Sequence, residues 1–94
     1  MLIRSQDKKV IVNLQSISQF YIVHGDVVAD FNNADNSQNG YVTLGLYDDA
    51  EKATKVLDLI QKNYENLEAV HHGFGVGDCS EVFQMPQDSE VIQQ

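Results

Sequence analysis

The sequence predicts an α+β domain: a five- to six-stranded, mostly antiparallel, twisted sheet in meander order, with one amphipathic helix packed on one face. Three observations carry this. Short apolar runs separated by polar turns fill the first half of the chain. At Asp48 the apolar spacing changes from a period of two to about 3.6. One last extended run ends at Pro86, a residue suited to a strand end or an edge.

The elements follow in order. Leu2-Ile3-Arg4-Ser5 and Lys9-Val10-Ile11-Val12-Asn13-Leu14 are two extended runs around a polar turn, Gln6-Asp7-Lys8. Ile17 to Val23 is a third run, with Phe20 and Ile22 on one face and Gln19 and Tyr21 on the other. His24-Gly25-Asp26 then turns the chain, because Gly25 takes positive φ at no steric cost. Val27 to Phe31 returns. These short connections favour antiparallel neighbours, since parallel pairs need long crossovers.

Residues 32–40 contain Ala34 as their only apolar member and read as a mobile loop. Tyr41-Val42-Thr43-Leu44-Gly45-Leu46-Tyr47 alternates: Val42, Leu44 and Leu46 point one way, and Tyr41, Thr43, Gly45 and Tyr47 the other. Gly45 leaves a gap suited to an aromatic ring or a helix packed closely across it.

The helix is expected over about residues 49–65. Asp48 with Glu51 forms a capping-box pattern in its Asp variant. Ala50, Ala53, Val56, Leu57, Ile60 and Tyr64 form one stripe. Asp48–Lys52, Glu51–Lys55 and Asp58–Lys62 place acid before base at i,i+4, each pair contributing about 0.3–0.5 kcal/mol. Residues 69–79, with Gly73, Gly75 and Gly77, read as a flexible connection. The last strand is expected at about residues 81–85, and residues 87–94 as a frayed tail. The predicted core is Ile3, Val10, Val12, Phe20, Ile22, Val28, Val42, Leu44, Leu46, Val56, Leu57 and Ile60.

Composition narrows the function classes. Ninety-four residues, 43% hydrophobic and 21% charged, suit one globular domain over residues 1–94 and exclude a collagen, a coiled-coil rod and a wholly disordered chain. Net charge is -8. Through Tyr47 there are 3 basic and 4 acidic residues, and beyond it 3 and 10, so the acidity belongs to the C-terminal half. Such a balance disfavours a polyphosphate partner. Cys79 is the only cysteine, so no intramolecular disulfide forms, which suits a reducing cytoplasm. The longest apolar run, Phe20-Tyr21-Ile22-Val23, is far short of the roughly 18 residues that span a bilayer. The opening residues read directly into strand-like sequence, with no signal-peptide pattern. The expected setting is cytoplasmic, with no membrane partner.

Candidate chemistry is sparse. His71, His72, Asp78 and Cys79 gather four candidate metal ligands within nine residues, but the glycines between them give no rigid tetrahedral geometry. Gly73-Phe74-Gly75-Val76-Gly77 follows a helix and leads to a strand, the reverse of a phosphate cradle. Asp35-x-Ser37-x-Asn39-Gly40 copies half of a calcium loop, with Leu46 where the bidentate Glu belongs. His24, His71 and His72 lie beside no nucleophile signature, and Asp48-Asp49 suits a helix start. The sequence thus assigns no catalytic residue, no cofactor and no cofactor-binding residue, and predicts a non-enzyme. Arg4, Lys8 and Lys9 form the only basic cluster. They are the candidate contacts for the alternative function, nucleic-acid binding, and otherwise guard an edge strand against aggregation.

Met1-Leu2-Ile3-Arg4-Ser5-Gln6-Asp7 leading into Val10-Ile11-Val12-Asn13-Leu14, then Leu44-Gly45-Leu46-Tyr47 before Val56-Leu57-Asp58-Leu59-Ile60, and finally Val82-Phe83-Gln84-Met85-Pro86, resemble a family of small uncharacterised proteins of low-GC Gram-positive bacteria and their phages and mobile elements. The resemblance covers the chain except residues 32–39 and 69–80. It implies no cofactor and no catalytic residue. The expected function is a non-catalytic protein-interaction or accessory module of bacterial or mobile-element origin. Its expected partner is an unidentified protein, with homodimerisation through the C-terminal strand, which lies beyond a glycine-rich connection.

Overall fold

The computed structural model describes residues 1–32, 40–73 and 79–91. Among these, six strands and one α-helix follow in order: β1 (Leu2–Arg4), β2 (Ile11–Asn13), β3 (Ile17–Val23), β4 (Asp26–Phe31), β5 (Tyr41–Leu46), α1 (Ala50–His71) and β6 (Val82–Gln84). The class is α+β and the pairing mostly antiparallel, as the sequence predicts.

The single sheet is not formed. The strands divide into two three-stranded sheets, β2-β1-β6 and β3-β4-β5. The division falls between β2 and β3, where Leu14–Ser16 form a 3-10 turn whose N-cap, Asn13, accepts from the Gln15 amide at 2.9 Å. That turn ends the β2 ladder, so β3 starts a new hairpin. The free side of β1 is taken by β6, which arrives parallel in the register Leu2↔Val82, Ile3↔Phe83. β3 and β4 are joined by the expected turn, with His24 at φ 52° and Gly25 at φ 95°. Positive φ at both central residues matches the twist of a two-residue hairpin.

Both sheets and α1 share one core. Ile3 and Val12 from the first sheet, Val27, Ala29 and Leu44 from the second, and Ala53, Val56 and Ile60 from the helix form one cluster with Tyr47, Met85 and Val91. Three predicted core residues lie outside it: Val28, which is buried on the other face of its sheet, and Val10 and Leu46, which are 40% and 59% exposed. Val10 precedes β2 and belongs to the turn, its carbonyl accepting from the Ser5 amide. Leu46 is turned out by a bulge. Val28 faces Thr43 and Val27 faces Gly45, so Leu44 is one residue too many for β4. A bulge reverses the alternation beyond it. Tyr47 is therefore buried, and its ring covers Gly45: a Cβ on that glycine would lie 2.8 Å from the ring. The gap read at Gly45 is filled by the aromatic residue two positions later.

The helix begins one residue later than its capping pattern suggests, with Asp49 as N-cap accepting from the Lys52 amide. Its 22 residues run to His71, well past the expected end. The stripe continues through Asn63, Asn66 and Leu67, all buried. The two asparagines hid it from a reading of apolar spacing.

The chain after β6 is no frayed tail through residue 91. Residues 88–90 form a 3-10 turn, and Met85 and Val91 are buried. Asp88 accepts from the Asp48 amide at 2.8 Å and pairs with Lys52 Nζ at 3.1 Å, tying this segment to the helix start. No helix among the described residues is long and apolar enough to cross a membrane.

Candidate functional site

The division into two sheets leaves the outer face of β3-β4-β5 in solvent. The pairing places three cross-strand rows on that face: Gln19–Asp30–Tyr41, Tyr21–Val28–Thr43 and Val23–Asp26–Leu46. Val28 is only 5% exposed yet lies outside the main core cluster, because its row neighbours Tyr21 and Thr43 flank it on the outer face. Tyr41 and Leu46 are 58% and 59% exposed, and Val23 is exposed too. This is a small aromatic and aliphatic surface on a rigid platform.

Its polar groups are organised around Asp30. Gln19 Nε2 donates to Asp30 Oδ2 at 2.7 Å, and the Tyr21 hydroxyl donates to Oδ1 at 3.0 Å. That hydrogen bond, then burial, then the charge of Asp30, raise the Tyr21 phenol above its ordinary value. Tyr21 thus stays a neutral donor with a fixed ring. Between Lys9 and Lys52 the sequence has no Lys or Arg, so β3, β4 and β5 carry only negative charge, from Asp26 and Asp30.

A groove of about 360 Å³ continues this face beyond β5, lined by Gln6, Asp7, Asp26, Thr43, Leu44, Gly45 and Leu46. Gln6 ties its wall to β5. The Gln6 amide donates to the Leu44 carbonyl, and its side-chain amide both donates to and accepts from the Leu46 backbone. Asp7 accepts from the Ser5 hydroxyl at 2.6 Å and the Lys9 amide at 2.9 Å, which hold its carboxyl below the ordinary value. Asp7 therefore remains ionised at the rim.

The basic cluster lies elsewhere. Arg4 stands on the outer face of the first sheet, in a row with Ile11 and Gln84, and its Nε donates to the Lys8 carbonyl at 3.2 Å. Lys8, at φ 66°, and Lys9 follow Asp7 in the same turn. The structure does bring Arg4 and Lys8 together, but with exposed Leu2, Ile11 and Val82 on the nearby strands and no aromatic residue in those rows.

The metal candidates divide. His71 Nε2 lies 3.1 Å from Glu81 Oε1, and His72 Nε2 lies 3.5 Å from Glu68 Oε2. Cys79 is half-buried, and Asp78 lies outside the described residues. Among the described residues no three His, Cys, Asp or Glu side chains are grouped to hold a metal ion. The half calcium loop at Asp35, Ser37 and Asn39 and the glycine run at Phe74, Gly75, Val76 and Gly77 also lie outside them, as do residues 33–39 of the mobile loop expected over 32–40 and the last three residues of the expected tail. His24 is an exposed turn residue.

The alternation in the sequence does place Gln19, Tyr21, Tyr41 and Thr43 on this face, but not Leu46, because the bulge at Leu44 cannot be seen in a regular alternation. A second signal was the absence of Lys and Arg from Val10 through Glu51. No protein family, no curated protein and no solved structure matches this chain.

Proposed function

We propose that the chain is a small, non-catalytic interaction module that docks a protein partner on the outer face of β3-β4-β5. The observation that carries this is the coincidence of exposed Tyr41, Leu46 and Val23 with Asp26 and Asp30 on a face lacking Lys and Arg. Tyrosines with adjacent aliphatic side chains are the composition of interface centres, and a rim of one charge selects partners of the other. The rigid Tyr21–Asp30–Gln19 cluster supports recognition without loss of side-chain freedom on binding. An accessory or regulatory role, of bacterial or mobile-element origin, rests on the sequence resemblance, and a cytoplasmic setting on the single cysteine.

The experiment is affinity capture with paired surface variants. Tyr41→Ala with Leu46→Ser should abolish capture while leaving the melting temperature within the scatter expected of exposed sites. Arg4→Ala with Lys8→Ala and Lys9→Ala should leave capture intact. Titration with labelled RNA and DNA at low and high salt tests the other reading, nucleic-acid binding through Arg4, Lys8 and Lys9. Tight binding with a steep salt slope would overturn the protein-docking reading. The reading of nucleic acid has the Arg4–Lys8 contact in its favour and the net charge against it.

Self-association belongs to the same proposal in one form. Exchange of β6 between two copies would preserve each pairing of the first sheet and leave the second sheet free to dock.

A further inference from the structure

We infer that the open edge of β3 receives an extended, basic segment of the partner as a fourth strand of the second sheet. This rests on the reading of that sheet as the docking platform and names the partner's chemistry.

The four sheet edges are unequal. β2 and β6 are three residues each, one preceded by Lys8 and Lys9 and the other followed by Pro86. Short length, lysine and proline are the usual means of blocking edge pairing. The second half of β5 is closed by Gln6, whose backbone bonds to the Leu44 carbonyl and whose side chain bonds to Leu46, which leaves only residues 41–43 of that edge. β3 has none of these. It is the longest strand, with seven residues, no charge and no proline, and its bulge lies at the start, between Ile17 and Gln19. Residues 19–23 are left as a regular edge.

The ladder fixes which backbone groups are offered. Val23 and Asp26 close a two-residue hairpin, so Val23, Tyr21 and Gln19 bond towards β4 while Phe20 and Ile22 turn their N–H and C=O outward. Among the described residues, no backbone group outside β4 bonds to residues 18–23.

Charge selects the occupant. An added strand lies about 10 Å from β4, two strand spacings, within reach of a lysine or arginine extended across β3 towards Asp26 and Asp30. Its alternate residues fall beside Phe20 and Ile22 on the core side, where apolar side chains extend the packing. The fitting segment alternates apolar and basic residues. A second copy of the acidic chain brings like charge to this edge.

The test uses the full chain with short capped peptides: one alternating valine and lysine, its valine–glutamate counterpart, and the valine–lysine peptide N-methylated on alternate backbone nitrogens. The valine–lysine peptide should bind and slow amide hydrogen exchange at Phe20 and Ile22. The glutamate and N-methylated peptides should not. Asp26→Asn with Asp30→Asn should weaken binding about fivefold, more at low salt than at high. Failure of the valine–lysine peptide to bind, equal binding of the N-methylated form, or protection on another strand overturns strand addition. Dimers in sedimentation that already protect Phe20 and Ile22 without peptide overturn it as well, assigning the edge to a second copy. None of these outcomes touches capture by Tyr41 and Leu46, which fails separately if the docking face itself is misassigned.

Discussion

The side-chain amide of Gln6 treats Leu46 as a strand neighbour: Nε2 donates to the Leu46 carbonyl at 3.0 Å, and the Leu46 amide donates to Oε1 at 2.9 Å. One side chain thus replaces the two bonds of an antiparallel pair and joins the sheets. Gln6→Ala leaves both Leu46 groups without this partner and should cost about 1–2 kcal/mol in urea unfolding. Amide exchange at Leu46 should accelerate with it. Gln6→Glu retains the acceptor but sets a carboxylate against the Leu46 carbonyl, and should cost at least as much. A Gln6→Ala protein as stable as the parent would show that water substitutes for the amide.

The strand positions, the hairpin turn at Gly25 and the helix start were legible because each depends on neighbours within a few residues. The partner of Gln6 is 40 residues away, and a glutamine in a turn carries no mark of it. Leu46 and Tyr47 exchanged places for a similar reason: the bulge at Leu44 is set by the match of β5 to β4. The length of α1 depends on Asn63, buried as a polar residue because its amide finds a backbone partner. Of the candidate site, the alternation gave the shared face of Gln19 and Tyr21 and that of Tyr41 and Thr43, and the composition gave the shortage of cations. The outward turn of Leu46 was not legible, because the bulge is set by β4.

Gly45 and Tyr47 form a matched pair. A methyl group at residue 45 meets the Tyr47 ring at 2.8 Å, too close for any real Cβ. Gly45→Ala should destabilise by about 1–3 kcal/mol, the range for overpacking a filled site. Tyr47→Leu removes the ring and also its hydroxyl, which donates to the Pro86 carbonyl at 2.8 Å. The double variant should therefore cost less than the sum of the singles, since the clash disappears with the ring. Strict additivity in denaturant melts would remove the contact as the cause.

Asn63 does for the far end of the fold what Gln6 does for β5. Its Nδ2 donates to the Ser80 carbonyl at 2.9 Å and its Oδ1 accepts from the Ser80 amide at 2.8 Å, fixing the approach to β6 on the helix. Asn63→Leu keeps the size and deletes both bonds, so about 2–3 kcal/mol should be lost if both Ser80 groups are stranded. Asn63→Asp should also destabilise, because it exchanges the donor facing a carbonyl for an acceptor. Retention of full stability in the leucine variant would show that Ser80 is hydrated.

Acid should unfold the protein through Asp88 and Asp7. The Asp48 amide and Lys52 lower the Asp88 carboxyl, and the Ser5 hydroxyl and Lys9 amide lower that of Asp7, both from an ordinary value of 3.8. A lowered folded value gives stability that is complete above the unfolded value and disappears as pH falls through the folded one. Melting temperature should therefore hold above about pH 5 and fall below pH 4, with a shallower fall in Asp88→Asn. Lys52 is raised by its hydrogen bond to Asp88, so its contribution is present at neutral pH and is lost only at alkaline pH above its folded value. An unchanged acid slope in Asp88→Asn would place the protonation elsewhere.

The C-terminal segment supplies the last test, because its role differs from that expected of a tail. Ile3 stands on the central strand of the first sheet, and β6 forms one whole side of that sheet. Beyond it Met85 is fully buried, the Pro86 carbonyl accepts from Tyr47, and Gln87 Nε2 donates to the Gln6 carbonyl at 2.8 Å. A chain ending at Ser80 should therefore lose cooperative unfolding. A synthetic peptide of residues 81–94 added in excess should restore it by binding in trans, because parallel pairing to β1 and burial of Met85 and Val91 need no covalent link. If the peptide restores folding, the full chain at high concentration should also yield dimers by exchanging β6, and their mass should fall to 10.5 kDa on dilution. A truncated chain that melts as sharply as the full one would show that the first sheet closes without β6. That outcome would leave the exchange without a driving force.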